Sequence, residues 1–221
     1  MRTVERWKRF WSQQTTPLHQ SDSADFYRVC AEELKVLFGN HAPKRVLEIG
    51  CGNGALFDFL NFDPANYRGV DFSPTLLAAF QSRYPQVALE RAEGASYADH
   101  ENQYDLIFSH GVIQYFDMPM LDTHFASARR MMHKNSLFVC ASIPWRLHRS
   151  NYERGRLTRQ LRPSLLRMLK SKIARGLFGD SMGHWYNLDE ISDLAAKHGF
   201  SVEFYGSMVY MYRFHAVMRC K

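Results

Sequence analysis

The sequence predicts an α/β fold in which helices cover both faces of a mostly parallel β-sheet. Three observations predict it. The apolar run Val46–Ile49 ends in a glycine-rich turn at 50–54, strand-like and helix-like runs alternate from residue 43 to residue 143, and two more strand-like runs close the chain. Alternating strands and helices are typical of parallel sheets. Glycine adopts positive φ without strain and lets a ligand approach the main chain, so the turn predicts a ligand site.

Length and composition predict one domain. The chain has 221 residues, of which 46% are apolar and 14% aromatic, enough for one well-packed core. We expect a helical cap at 1–42, a core at 43–143, a basic helical insertion at 144–183, and a helix with a strand pair at 184–221. No apolar run of membrane-spanning length and no secretory leader pattern is readable, so a cytoplasmic protein is expected. The cysteines are far apart in sequence and predict buried thiols.

The net charge of +6 is unevenly distributed. Between residues 146 and 175, ten Lys or Arg stand against one acid, so this segment carries +9 and the remainder −3. Apolar residues lie on one face of a basic amphipathic helix predicted over 162–178. Three functions stay open for it: a lid over the substrate, a peripheral contact with an anionic membrane or lipid-linked phosphate, and nucleic-acid binding.

The other elements follow from apolar periodicity. Trp7 and Trp11 belong to an N-terminal helix whose aromatic face either packs in the core or covers a pocket, and a second helix is predicted at Ala24–Phe38. Strands are predicted at 45–49, 67–71, 87–91, 104–109 and 136–143, with helices to about residue 60, at 75–83, 121–133 and 188–198, and a final antiparallel hairpin of strands 200–205 and 212–218.

Asp71 ends the second strand, 23 residues after Glu48. In a βαβ nucleotide site an acid at this point lies across the sheet from the glycine turn, where it can accept two hydrogen bonds from a ribose diol. The turn itself is Gly-x-Gly-x-Gly and lacks the third glycine of the dehydrogenase pattern, which disfavours NAD.

Taken together, these motifs resemble the class I S-adenosylmethionine-dependent methyltransferases. The matching segments are VLEIGCGNG at 46–54, GVDFSP at 69–74, AEGASY at 92–97, YDLIFSHGVIQYF at 104–116 and the terminal strand pair. The resemblance implies a Rossmann-like seven-stranded sheet whose last strand is antiparallel, and S-adenosylmethionine as the cofactor. The insertion and the GVIQYF segment are similar to small-molecule O-methyltransferases of surface sugars or the ubiquinone pathway.

The resemblance also assigns cofactor-binding residues. It implies that Asp71 holds the ribose with Phe72 beside the adenine, and that Glu93 and Gly94 approach the adenine amine. The residues implied around the methionine portion and the sulfonium are Glu48, Gly50, Cys51, Gly52, Gly54, Ser109 and His110.

His110, His184 and Tyr115 are the candidate catalytic residues. A neutral histidine suits removal of a proton from an acceptor hydroxyl, and Tyr115 could position the acceptor. For each histidine a structural role is the alternative.

The acceptor is predicted by elimination. The segment after the fourth strand lacks the (D/N/S)PP(Y/F) pattern of many enzymes that methylate planar nitrogens of nucleic acids and proteins, and no carboxylate cluster for a metal is readable. A sugar, a phenol or a small amine fits by elimination, and of these we expect transfer to a hydroxyl of a sugar, a lipid-linked compound or a phenol, without a metal. The alternatives are an RNA methyltransferase that uses the basic insertion and a cofactor-binding scaffold without activity.

Overall fold

The computed structural model describes residues 24–101, 103–154, 156–157 and 182–221. The aromatic helix predicted around Trp7 and the basic helix predicted over 162–178 lie outside these ranges and stay predictions. None of the helices within the ranges has the length and apolar content that a membrane crossing requires.

Seven strands form a single sheet. They are β1 (Val46–Ile49), β2 (Tyr67–Asp71), β3 (Ala88–Arg91), β4 (Tyr104–His110), β5 (Met132–Pro144), β6 (Phe200–Gly206) and β7 (Arg213–Cys220). Their order across the sheet is β3-β2-β1-β4-β5-β7-β6. The pairs from β3 to β5 are parallel, whereas β7 runs antiparallel to both of its neighbours. The mostly parallel seven-stranded sheet with an antiparallel last strand is therefore confirmed.

Six α-helices are described, and some of them begin at a capping side chain. They are α1 (Ala24–Phe38), α2 (Phe57–Leu60), α3 (Pro74–Arg83), α4 (Met118–Arg130), α5 (Arg149–Glu153) and α6 (Leu188–Lys197). Ser73 caps α3, accepting a hydrogen bond from the Leu76 amide at 3.4 Å. Asp117 caps α4 by accepting from the Met120 amide at 3.0 Å.

The core lies on both faces of the sheet, because successive strand residues point to opposite sides. On one face Val46 and Phe108 pack in a cluster with Leu34 of α1 and Phe80 of α3. On the other face the cluster contains strand residues with side chains of α4 and α6; among them are Leu47, Ile107, Phe125, Phe138 and Ile191. Helices on both faces are confirmed.

Some predicted boundaries were wrong. The helix predicted at 121–133 is α4 (Met118–Arg130), because Asp117 starts it one turn earlier. β5 already begins at Met132, so His133 belongs to a strand, where its Nε2 lies 2.8 Å from Oδ1 of Asp105. The helix expected directly after the glycine turn is only α2 (Phe57–Leu60), since Ala55 and Leu56 still belong to the turn.

Candidate active site

The glycine turn after β1 is tied to the end of β2. The amides of Gly50 and Cys51 both donate to the carbonyl of Val70, at 2.7 and 3.1 Å. Gly50 has φ +77°, and a Cβ there would lie 2.3 Å from Val112. Gly52 has φ +56°, and a Cβ there would meet nothing closer than Leu76 at 4.0 Å. The turn therefore needs glycine at Gly50 for space and presents bare backbone at Gly52.

Asp71 is fixed by main-chain donors. Its Oδ2 accepts from the Gly52 amide at 3.0 Å and its Oδ1 accepts from the Ser73 amide at 2.8 Å. Burial raises the pKa of Asp71, and these amide hydrogen bonds offset part of that effect. The carboxylate thus bridges the glycine turn and the start of α3, with one face left toward the cavity that it lines.

Glu48 is only 2% exposed. The hydroxyl of Tyr67 donates to its carboxyl group. Burial raises the pKa of Glu48 to about 8, the hydrogen bond from Tyr67 works against this rise, and the nearby charge of Asp71 adds to it. A cationic ligand beside Glu48 would favour its ionised form.

Gly94 places the chain after β3 against the sheet. A Cβ on it would lie 2.8 Å from Ile49. Its carbonyl accepts a hydrogen bond from Nδ1 of His124 at 3.1 Å. Burial lowers the pKa of His124 to about 4, so this imidazole is a neutral structural support.

These residues surround a cavity of about 380 Å³ at the carboxyl ends of β1, β2 and β4. Most of the residues predicted for the site line it: Glu48, Gly50, Cys51, Gly52, Asp71, Phe72, Glu93, Gly94, His110 and Tyr115. Strands that are far apart in sequence thus bring both the predicted cofactor residues and two predicted catalytic residues to one cavity.

Three predicted residues are not among those that line the cavity: Gly54, Ser109 and His184. A Cβ on Gly54 would lie 2.5 Å from the ring of Phe80, so this glycine makes room for a core side chain. Ser109 is buried in β4 opposite Cys140 of β5. The amide of His184 donates to the carbonyl of Gln114 at 2.7 Å, which joins its segment to the turn Ile113–Tyr115.

A second part of the cavity wall was not predicted for the site and is rich in aromatic residues. It comes from α1, from the turn after β4, from β5, from α5, from the chain before α6, from the β6–β7 connection and from the start of β7; the residues are Phe26, Tyr27, Gln114, Ser142, Tyr152, Met182, Tyr210, Tyr212 and Arg213. A charged residue in the otherwise apolar run 208–218 was the available signal for Arg213.

Ser142 joins β5 to β7 at an irregular point of the sheet. Its φ is +61°, and the β5–β7 register shifts between Cys140 and Ile143. The Ser142 amide donates to Nδ1 of His215 at 3.3 Å, and its hydroxyl lies 3.3 Å from Nη1 of Arg213. Nη1 of Arg213 also donates to the Ser142 carbonyl. The bulge therefore orients two side chains of β7.

No group of three or more His, Cys, Asp or Glu in the part of the chain that the structure describes could hold a metal ion.

Comparison with known proteins identifies the domain. Residues 46–135 match the family model described as a methyltransferase domain. A trans-aconitate 2-methyltransferase of Methylobacterium nodulans is 40% identical over 76 residues, which are 34% of this chain and 29% of that protein. A fatty-acid O-methyltransferase of Mycolicibacterium smegmatis is 23% identical over 73% of this chain and 60% of that protein. The chain thus spans between 29% and 41% of the length of the trans-aconitate 2-methyltransferases it matches.

Solved structures share the fold at low identity. Phosphoethanolamine N-methyltransferase 1 of Haemonchus contortus, in complex with phosphoethanolamine and S-adenosylhomocysteine, has a TM-score of 0.73 and 16% identity over 98% of this chain and 48% of that one. Magnesium protoporphyrin IX methyltransferase of Synechocystis with bound S-adenosylhomocysteine has a TM-score of 0.63 and 15% identity over 98% and 93% of the two chains. The family match identifies residues 46–135 as a methyltransferase domain, and these solved structures share the fold of this chain.

Proposed function

We propose that the protein transfers a methyl group from S-adenosylmethionine to an oxygen atom of a small-molecule acceptor. The observation that carries this proposal is the composition of the cavity wall. Glu48, Asp71 and Glu93 line it together with the bare backbone of Gly52.

The residues fit this cofactor. S-adenosylmethionine carries a positively charged sulfonium and an ammonium group, and when bound it supplies a methyl group open to nucleophilic attack. Carboxylates stabilise such cations, and the described wall contains a single Lys or Arg, Arg213, which comes from β7. By the resemblance, Asp71 would hold the ribose hydroxyls, Phe72, Glu93 and Gly94 would contact the adenine, and residues of the glycine turn would contact the methionine portion.

The chain's own contribution is alignment and proton removal. Aromatic residues from α1 and the β6–β7 connection, Phe26, Tyr27, Tyr210 and Tyr212, line the cavity, where they would help to align the acceptor and keep water from the reacting atoms. His110 lines it at the end of β4, and we assign it the removal of a proton from an acceptor hydroxyl. Tyr115 would position that acceptor. His184 is not among the lining residues and remains a secondary candidate for removing the proton.

Two kinds of oxygen atom are candidates for the methyl acceptor. A hydroxyl of a sugar, lipid-linked or phenolic compound remains the proposal from the sequence. Two relatives named for organic acids, trans-aconitate and fatty acid, add a carboxylate oxygen to the candidates. A small acceptor is supported by the cavity volume of about 380 Å³ and the aromatic part of its wall. The cytoplasmic location and a membrane contact through 162–178 stay predictions.

RNA methylation is the second candidate. It depends on the basic segment 162–178, which lies outside the described residues, so its support is the charge distribution alone. Electrophoretic binding to bulk RNA over a salt series separates the two functions, because phosphate-driven affinity falls steeply as salt rises.

The proposal is tested by incubating the purified chain with methyl-labelled S-adenosylmethionine and panels of sugars, phenols, organic acids and tRNA. Label in a small-molecule product extracted into organic solvent or resolved by chromatography supports it. Label in tRNA alone, or no binding of S-adenosylhomocysteine by calorimetry, contradicts it.

A further inference from the structure

Arg213 is a buried cation in the wall of the cavity. It begins β7, its residue is 8% exposed, and it lines the cavity together with Tyr210 and Tyr212. A guanidinium stays protonated in proteins. None of the ion pairs among the described residues includes Arg213. Buried charges are normally paired, but among the residues that the structure describes Arg213 has no partner of opposite charge.

The contacts that Arg213 makes are all with neutral groups. Nη1 donates to the carbonyl of Ser142 and lies 3.3 Å from its hydroxyl, and Nη2 lies 4.0 Å from the sulfur of Met182. The guanidinium carbon lies 5.5 Å from the ring centroid of Tyr210 and 5.6 Å from that of Tyr212. Nε is buried and has no hydrogen-bond partner among the described residues. Five N–H donors thus meet few acceptors.

The buried acids nearby are engaged elsewhere. Glu33 is the buried carboxylate closest to β7: it lies 3.3 Å from Nε2 of His215 and accepts from the Met208 amide and the Ser207 hydroxyl. On the other side of the cavity, Glu48 is hydrogen-bonded to Tyr67 and Asp71 to main-chain amides. The described part of the chain therefore holds the guanidinium in place, and none of its buried acids pairs with it.

We propose that Arg213 binds an anionic oxyacid group of the acceptor, a carboxylate or a phosphate, whose apolar body lies among the surrounding rings. The inference rests on the proposed function and narrows its substrate to an organic acid or phosphate ester. A planar guanidinium pairs with either group through two parallel hydrogen bonds. The aromatic wall around it offers no second cation among the lining residues, which fits an acceptor with one acidic end.

The test compares probes that differ in charge. Octanoate, octyl phosphate, trans-aconitate and neutral octan-1-ol are titrated by calorimetry into the protein saturated with S-adenosylhomocysteine. The variants are Arg213→Gln, Arg213→Lys and, as a matched control on the same strand, Arg219→Gln. Arg219 is exposed and lies 3.3 Å from Glu203 at the far end of β7.

We expect at least one anion to bind wild type and Arg219→Gln more tightly than octan-1-ol does. Arg213→Gln should lower the affinity for that anion by about tenfold to a hundredfold, since a charge-assisted hydrogen-bonded pair is lost. Binding of octan-1-ol and S-adenosylhomocysteine should not change, and Arg213→Lys should retain part of the preference. Comparison of the carboxylate and phosphate probes shows which acid the site prefers.

Two results would overturn the proposal: wild type binds no anion better than octan-1-ol, or Arg213→Gln weakens the anion and the alcohol equally. The first needs no variant and stands even if Arg213→Gln fails to fold. If wild type does not bind S-adenosylhomocysteine, the proposed function is contradicted instead, whether or not the anions bind.

Discussion

Oε2 of Glu33 in α1 lies 3.3 Å from Nε2 of His215 in β7, and both side chains are almost completely buried. This contact fixes the helix that carries Phe26 and Tyr27 to the strand that begins with Arg213. The same carboxylate accepts from the amide of Met208 in the β6–β7 connection. One acid thus sets the distance between two walls of the cavity.

Glu33→Gln is expected to destabilise the protein by about 1–3 kcal/mol at neutral pH, because the buried His215 loses its partner. Urea unfolding followed by circular dichroism measures this difference. Glutamine has the same size and shape as glutamate, so the substitution leaves no cavity and the loss of stability reports on the missing charge alone.

The difference in stability between wild type and Glu33→Gln should also depend on pH. Burial raises the pKa of Glu33, but His215 and the hydrogen bonds from Met208 and Ser207 together bring it below its usual 4.5. A lowered pKa stabilises the fold above the usual value and loses that effect as the pH falls. The advantage of wild type over Glu33→Gln should therefore shrink below about pH 4.5. A constant difference down to acid unfolding would contradict this.

Glu48 should have the opposite pH dependence. Its pKa rises from 4.5 in the unfolded chain to about 8 in the fold, so the folded state holds a proton that the unfolded state has lost. Relative to Glu48→Gln, wild type should lose roughly 2–5 kcal/mol of unfolding free energy as pH rises across that window. Denaturant titrations at several pH values measure it.

Tyr67→Phe provides the matched control for Glu48. The Tyr67 hydroxyl stabilises the ionised carboxylate, so its removal should shift the loss of stability to higher pH. Parallel pH profiles for wild type and Glu48→Gln would show that Glu48 is ionised in the fold as in water.

Asp71→Ala should weaken S-adenosylhomocysteine binding by roughly 1.5–3 kcal/mol, because charge-assisted hydrogen bonds to the ribose are lost. Calorimetry measures the affinity. Asp63→Ala is the control, since Asp63 caps the exposed turn Pro64–Asn66 and does not line the cavity. Equal affinity of wild type and Asp71→Ala for S-adenosylhomocysteine would show that Asp71 does not hold the ribose.

Gly54→Ala tests whether this glycine serves packing or ligand binding. Gly54 and Gly39 have φ of +77° and +58°, so alanine costs about 1–2 kcal/mol of strain at each. Only at Gly54 would the new Cβ meet the Phe80 ring, which adds about 1–3 kcal/mol. Thermal unfolding should therefore show a larger loss for Gly54→Ala than for Gly39→Ala. Equal losses would exclude the packing role.

His110→Ala and His184→Ala separate the two predicted bases. His110 lines the cavity and His184 does not. For a hydroxyl acceptor, kcat should fall roughly 100-fold in His110→Ala and stay near wild type in His184→Ala. A carboxylate acceptor has no proton to lose, so its kcat should fall much less. A large loss confined to His184→Ala would reverse the assignment.

The strands and the cofactor side of the cavity could be predicted because the signals are local. Val46–Ile49 and Tyr104–His110 are nearly continuous apolar runs, and Glu48, Gly52 and Asp71 lie at strand ends that a parallel sheet brings together. Helix boundaries were less accurate where a capping residue was overlooked, as at Asp117.

The acceptor side could not be predicted in the same way. Tyr27, Gln114, Ser142 and Arg213 are far apart in sequence, and only the pairing of β5 with β7 and the packing of α1 bring them to one wall. Their residue types carry no pattern of their own. That no acid among the described residues pairs with Arg213 becomes evident only when its neighbours are known.

The reversed direction of β7 has a practical consequence. Because β7 starts at the cavity, it ends at the opposite edge of the sheet, where the Lys221 amide donates to the Gly199 carbonyl at 2.9 Å. A fluorophore, affinity tag or surface linker attached at Lys221 would therefore lie on the side of the sheet away from the cavity. Protein immobilised by this attachment could then be assayed with its cavity facing the solution.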